Sequence, residues 1–253
     1  MKKPILKAKD ICKSFANNGG QNHVLDMVDV EIYEGDFTVI MGSSGAGKST
    51  LLYALSGMDK ATSGKVWYKE QEIGSLNEKE MAFLRTNEFG FIFQQIHLVS
   101  NLTLLENVAV TAFLKGGKRT KEVRDLATAL LAKVHVENAK DRLPSQVSGG
   151  EAQRAAIARA VINEPGLIFA DEPTGALNRQ NTKEVLKLLT QLNEEGQSIL
   201  MVTHDVRAAI HANRFLYLAD GKIIGEMTMP TYDKTDEKNR GKQVDAWLEA
   251  MSW

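Results

Sequence analysis

The chain has 253 residues, 43% hydrophobic and 25% charged, an ordinary globular make-up with apolar content for a sizeable core. With 31 basic against 32 acidic side chains the formal charge is −1, so the basic excess of a nucleic-acid binder is missing. The one cysteine, Cys12, cannot close an internal disulfide, and no apolar run approaches the roughly 20 residues that cross a bilayer. Met1-Lys2-Lys3-Pro4 leads into mixed polar sequence without an apolar signal core, so the expected location is the cytoplasm, with any membrane role taken through a partner.

Ile5 to Ile11, Val24 to Ile32 and Asp36 to Met41 read as strands, separated by turn residues such as Asn17-Asn18-Gly19-Gly20, and Gly64 to Tyr68 as another. Phe89, Phe91 and Phe93 alternate with Gly90 and Ile92, the period of a strand with one aromatic face. The pattern then turns helical to about Val161, with helices expected over Leu102 to Leu114, Glu122 to Val134 and Glu151 to Ile162. Strand–helix alternation returns with Leu167 to Ala170, Glu184 to Asn193, Ser198 to Thr203 and Ala208 to Ala212. Phe215 to Leu218, Asp220-Gly221 and Lys222 to Ile224 form a hairpin signal, because Asp-Gly suits a turn that needs positive φ. Met229 to Lys242 is polar and is expected to be a loose surface tail; Trp247, Leu248, Met251 and Trp253 suggest a short helical end. The expectation is one α/β domain over residues 1–228, interrupted by a mostly helical insertion at about 95–160, and an extension over 229–253.

Three strings carry chemistry. Gly42-Ser43-Ser44-Gly45-Ala46-Gly47-Lys48-Ser49 fits the phosphate-binding loop, follows the apolar run Phe37 to Met41 and opens a helix at Thr50. Its glycines let backbone N–H groups turn inward around phosphates, Lys48 adds a charge for the β and γ groups, and the Ser49 hydroxyl can ligate Mg²⁺. Leu167-Ile168-Phe169-Ala170-Asp171-Glu172 is a buried strand with two carboxylates at its C-terminal end, where ligands gather in open α/β sheets. Asp171 is placed to hold Mg²⁺ and Glu172 to polarise a water attacking the γ-phosphate. Ser148-Gly149-Gly150-Glu151 before a helix reads equally as a plain N-cap or as an anion site.

The order of phosphate loop, Gln94, Ser-Gly-Gly-Glu-x-Gln-Arg, Ala-Asp-Glu-Pro-Thr-Gly-Ala-Leu and Thr203-His204-Asp205 resembles the ABC transporter nucleotide-binding domain, from about Leu6 to about Glu226. The resemblance implies a P-loop NTPase core with an N-terminal antiparallel β-subdomain and a helical insertion, working as a homodimer on ATP and Mg²⁺. It implies that Phe15 stacks on adenine and that Gln94, rather than its neighbour Gln95, touches Mg²⁺ and the attacking water. By the same likeness Ser148, Gly149 and Gly150 cover the γ-phosphate of the opposite subunit, and His204 hydrogen-bonds the γ-phosphate. Two positions depart from the pattern: Glu151 stands where glutamine is commonest, and Asn178 where an aspartate is usual. Within the family the chain looks most like ATPases of macrolide export, lipoprotein release and bacitracin-type peptide resistance, the last chosen for its separate ATPase chain and C-terminal extension. That implies a chain peripheral to the cytoplasmic face of the membrane. An integral permease would dock near Gln94 and residues 96–114, through Ile96, Leu98, Val99 and Leu104. Other readings are an ATP-gated regulatory module on a membrane partner and an ABC protein acting on DNA or ribosomes; Glu172 and His204 speak against the first, and the single motif set against the second.

Overall fold

The computed structural model describes residues 2–17 and 20–251. Its elements in chain order are β1 (Pro4–Asn17), β2 (Gly20–Tyr33), β3 (Phe37–Met41), α1 (Lys48–Leu55), β4 (Ser63–Tyr68), β5 (Gln71–Glu72), α2 (Glu78–Glu88), β6 (Phe89–Phe93) and α3 (Leu104–Lys115). They continue as α4 (Thr120–Lys133), α5 (Gly149–Val161), β7 (Leu167–Asp171), α6 (Arg179–Glu194), β8 (Ser198–Val202), α7 (Val206–Ala209), β9 (Arg214–Ala219), β10 (Lys222–Thr228) and α8 (Glu237–Ala250). By contacts they form two units, Met1–Met81 with Asn193–Trp253, and Ala82–Leu192.

The first unit holds an antiparallel sheet in the order β2-β1-β4-β5, and beside it the run β10-β9-β3-β8. β3 lies parallel to both of its neighbours, with Val39 opposite Met201 on β8 and Phe215 on β9. Every residue of β3 and β8 is buried. A strand covered on both faces has no polar side to alternate with, which is why both read as unbroken apolar runs. Between β9 and β10, Asp220 (φ 47°) and Gly221 (φ 73°) make the tight turn that the Asp-Gly pair signals. The Asn17-to-Gly20 turn includes residues 18 and 19, which lie outside the described residues, but Asn17 and Gly20 are paired across the two strands.

In the second unit β6 and β7 run parallel, Gly90 opposite Ile168 and Phe91 opposite Phe169. The alternating phenylalanines form one aromatic face: Phe91 stacks on Phe169 at 5.6 Å and on Phe93 at 5.9 Å, while Phe89 meets Phe169 edge-on at 5.1 Å. A Cβ on Gly90 would stand 2.6 Å from the carbonyl oxygen of Ala160, so glycine is what lets α5 lie this close to β6. Helices α3, α4 and α5 pack together. Asn107, fully buried on α3, receives the N–H of Val99 at 2.7 Å and donates to the carbonyls of Val99, Leu102 and Thr103, tying that stretch to the helix.

Two sequence expectations fail, and one helix was not foreseen. The region Met229 to Lys242 is no loose tail: a 3₁₀ turn at Lys234–Asp236 leads into the 14-residue α8, with Arg240, Val244 and Leu248 buried. Trp247 packs edge-on to Phe215 and Tyr217, at 6.3 and 6.2 Å; Trp253 lies outside the described residues. Helix α2 escaped the periodicity because only Met81 and Leu84 of it are buried apolar anchors. Leu104, read as a docking contact, is 0% exposed and belongs to the core.

Candidate functional site

In the first unit, the phosphate loop leaves β3 and enters α1 through Gly47, whose φ of 97° is open to glycine at little cost. A Cβ there would lie 2.9 Å from the carbonyl of Val24, and one on Gly42 would lie 2.1 Å from that of Leu218. The backbone is thus packed where these two glycines stand, and both letters of the motif are steric necessities. No side chain caps α1 and its first turn carries no acid, which leaves the helix N-terminus electropositive. Lys48 is buried, and its Nζ donates to the carbonyls of Gly42 and Ser43, each at 2.8 Å. That strap holds the loop in a curl around the positions of Ser44, Gly45 and Ala46, with Ser49 and Thr50 starting the helix.

His204 stands exposed between β8 and α7, followed by Asp205, whose carboxylate caps α7 by accepting from the Arg207 N–H at 2.9 Å. Burial works against the Asp205 charge, yet the Arg207 side-chain and backbone bonds outweigh it and hold the carboxyl below its ordinary range. Phe15, on β1, is 44% exposed, with the Lys13 ammonium 4.9 Å from its ring centre.

In the second unit, Asp171 ends β7 opposite Phe93 and is buried. Glu172 follows with φ 43°, in the left-handed region that costs a side-chain-bearing residue of order 1–2 kcal/mol. The chain then turns tightly, Gly175 N–H to Glu172 O at 3.0 Å and Leu177 N–H to Thr174 O at 3.1 Å. Gln94 is exposed and rests on this turn: a Cβ on Gly175 would come within 2.8 Å of its Nε2. Asn178 caps α6, its Oδ1 accepting the Asn181 N–H at 3.0 Å.

Ser148 is the N-cap of α5 in a full capping box. Its hydroxyl and N–H donate to Glu151 Oε2 at 2.7 and 2.8 Å, and the Glu151 N–H returns to Ser148 Oγ at 3.2 Å. The Ser148 hydroxyl bond, then its backbone bond, keep the Glu151 carboxyl below its ordinary range. Gly149 is exposed; Gly150 is buried, and a Cβ on it would overlap the Asn181 amide at 2.2 Å.

Two residues without an expected role join these parts. Gln153, one turn into α5, donates from Nε2 to Phe93 O at 3.1 Å and to Pro173 O at 2.8 Å. It therefore grips the residue before Gln94 and the residue after Glu172 at once. Arg159 donates to Ile96 O at 3.2 Å and His97 O at 2.7 Å, holding the other side of Gln94. The signature string contains Gln153 but gives no sign of its burial, and Arg159 reads as an ordinary helix-surface arginine.

Ser49 and Asp171 offer the hard oxygen donors that Mg²⁺ takes. Among the described residues no three acidic, His or Cys side chains cluster as a metal cage. Among the same residues no helix is long and apolar enough to cross a membrane.

Comparison with known proteins agrees with this arrangement. The ABC transporter family profile matches residues 25–175. The lipoprotein-releasing system ATP-binding protein LolD of Aquifex aeolicus (strain VF5) is 44% identical over 224 residues, 88% of this chain and 98% of that protein. The macrolide export ATP-binding/permease protein MacB of Pasteurella multocida (strain Pm70) is 39% identical over 226 residues, 89% of this chain; the chain spans 35% of MacB's own length. Among solved structures, the dimeric post-hydrolysis state of the ATP-binding cassette MJ0796 bound to ADP and Pi superposes with a TM-score of 0.84 at 36% identity, covering 90% of this chain and all of that one. With its phosphate loop, strand-end carboxylates and capped Ser-Gly-Gly helix in the expected order, the chain belongs to the ABC transporter family and is its ATPase cassette.

Proposed function

We propose that the chain is the ATP-hydrolysing motor subunit of a transporter whose membrane permease is a separate chain, of the type that serves antimicrobial-peptide resistance or export. The ATPase turns ATP and water into ADP and phosphate as a homodimer. Lys48 and the N–H groups of residues 42–50 bind the phosphates, Phe15 stacks on the adenine, and Glu172 polarises the attacking water, aided by Gln94 and His204. Ser148, Gly149 and Gly150 cover the nucleotide of the other copy. Mg²⁺, held by Ser49, Asp171 and Gln94, would neutralise charge on the transferring group.

The observation that carries this reading is the grip of α5 on both flanks of Gln94 and on the residue after Glu172. A push on Gln94 is then felt by the catalytic strand end and by the helix that Ser148 heads. Exposed apolar side chains of the same unit, Phe83, Val99, Phe113 and Leu114, support a permease docking surface there, with Ile96 and Leu98 half-buried close to Val99 in sequence. The chain would sit at the cytoplasmic face of the membrane through that contact and bind no nucleic acid. The near-complete match to LolD favours lipoprotein release as a second reading.

The test is phosphate release and permease capture by the wild type, Glu172→Gln and Val99→Glu. Glu172→Gln is expected to bind ATP, release almost no phosphate and accumulate as an ATP-bound dimer. Val99→Glu is expected to fold but lose the permease in pull-down. Near wild-type release by Glu172→Gln would remove Glu172 from the chemistry, and full capture by Val99→Glu would move the docking surface elsewhere.

A further inference from the structure

The C-terminal segment buries a guanidinium. Arg240, on α8, is 1% exposed, and its Nε donates to Ile210 O at 2.8 Å, Nη2 to Ala212 O at 2.5 Å and Nη1 to Pro230 O at 2.8 Å. Among the described residues no carboxylate pairs with it. Its hydrogen bonds all go to carbonyl dipoles, with the Asp236 charge and the Tyr232 ring near it but no direct ion pair, an expensive way to seat a desolvated cation.

Two of those carbonyls belong to residues whose N–H groups close the short helix α7: Ile210 N–H donates to Val206 O at 3.0 Å and Ala212 N–H to Ala209 O at 2.9 Å. At the other end Asp205 N–H bonds Thr203 Oγ1 at 3.0 Å, and Asp205 caps the helix. Four residues are far too few for a helix to hold itself. The stretch from Thr203 to Ala212, which carries His204, is held by β8 and β9 at its two ends, by the burial of Ala208, Ala209 and Ala212, and by Arg240, which grips its last turn. The anchor is itself seated: Tyr232 stacks on His211 at 4.1 Å, donates to Glu237 Oε2 at 3.1 Å and lies 5.8 Å from the guanidinium, while Trp247 packs on β9.

We propose that Arg240 is a positioning residue for His204, so that docking of the C-terminal helix sets how the loop after β8 presents the imidazole to the nucleotide. This rests on the assignment of His204 to the γ-phosphate, and the experiment separates the two. ATP turnover and nucleotide affinity are measured for the wild type, Arg240→Met, Arg240→Lys, His204→Ala and the His204→Ala/Arg240→Met double variant. Arg240→Met is expected to lower kcat by about tenfold to a hundredfold, the scale on which misplacing a catalytic group is felt, with KM within about twofold. Arg240→Lys, which still reaches a carbonyl, restores part of the rate. The double variant turns over no more slowly than His204→Ala alone, because the two act through one group. A double variant slowed by the full Arg240→Met factor overturns the positioning role. Wild-type turnover by His204→Ala would instead remove the assignment on which it stands. If Arg240→Met does not fold, Arg240→Lys takes its place in the same cycle.

Discussion

Replacing Gln153 with methionine keeps its length and removes both hydrogen bonds that tie Phe93 and Pro173 to α5. Each bond lost from a buried carbonyl costs about 1–3 kcal/mol when nothing replaces it. Against this, Gln153 Oε1 is itself buried without a partner, so its removal returns about 1 kcal/mol. The net expectation is a destabilisation of about 1–5 kcal/mol, read as a lower urea midpoint with an unchanged m-value. Turnover falls as well, because the freed carbonyls flank Gln94 and Glu172 while nucleotide affinity at Lys48 stays. Urea unfolding followed by tryptophan fluorescence, with steady-state phosphate release, measures both. A loss below about 0.5 kcal/mol together with full kcat would refute the view that α5 holds the catalytic turn through this amide.

Phe15→Ala should weaken ATP and GTP alike by roughly 1–3 kcal/mol, since stacking ignores the base edge; unchanged titrations would leave Phe15 only a seat for the Lys13 ammonium. Asn178→Asp should raise the melting temperature slightly, because a carboxylate at the N-cap of α6 gains about 0.3–1 kcal/mol from the helix dipole, and it should lower the ATP needed for dimerisation; superimposable ATPase and melting curves would make the position neutral. His211 is pushed down to about 4 by burial, from an ordinary 6.5. The unfolded chain takes up its proton first, so stability present above pH 6.5 is lost as pH falls toward 4, at no more than about 1.4 kcal/mol per pH unit. His211→Phe keeps a ring against Tyr232 and should flatten that slope in urea titrations between pH 7 and 4.5, whereas parallel slopes would refute the assignment.

What could be read in advance followed from local chemistry. Gly42 and Gly47 are required by backbone contacts that the motif's spacing already encodes, and the apolar runs of β3, β7 and β8 announce strands buried on both faces. The Asp220-Gly221 turn is likewise a property of two residues. Arg240 was illegible because its three carbonyl partners come from residues 210, 212 and 230, and nothing in Lys-Asn-Arg-Gly-Lys separates an anchor from a solvated charge. Gln153 lay inside a recognised string, yet its work depends on Phe93 and Pro173, which only the fold brings to it. Leu104 and Val99 are both apolar residues downstream of Gln94 and look alike in the sequence; the turn tied by Asn107 accompanies one buried and the other exposed.

The capping box at Ser148 has a consequence for pairing between copies. The serine hydroxyl is already engaged by an anion of the chain itself, the Glu151 carboxylate 2.7 Å away. If Ser148 meets the other copy's nucleotide as proposed, that phosphate would compete with the resident charge for one proton and meet its repulsion on the way in. A glutamine at the same place would cap the helix as a neutral group and yield more readily. On the proposed reading, in which Ser148 faces the other copy's nucleotide, salt that screens the two like charges would ease the approach of the copies.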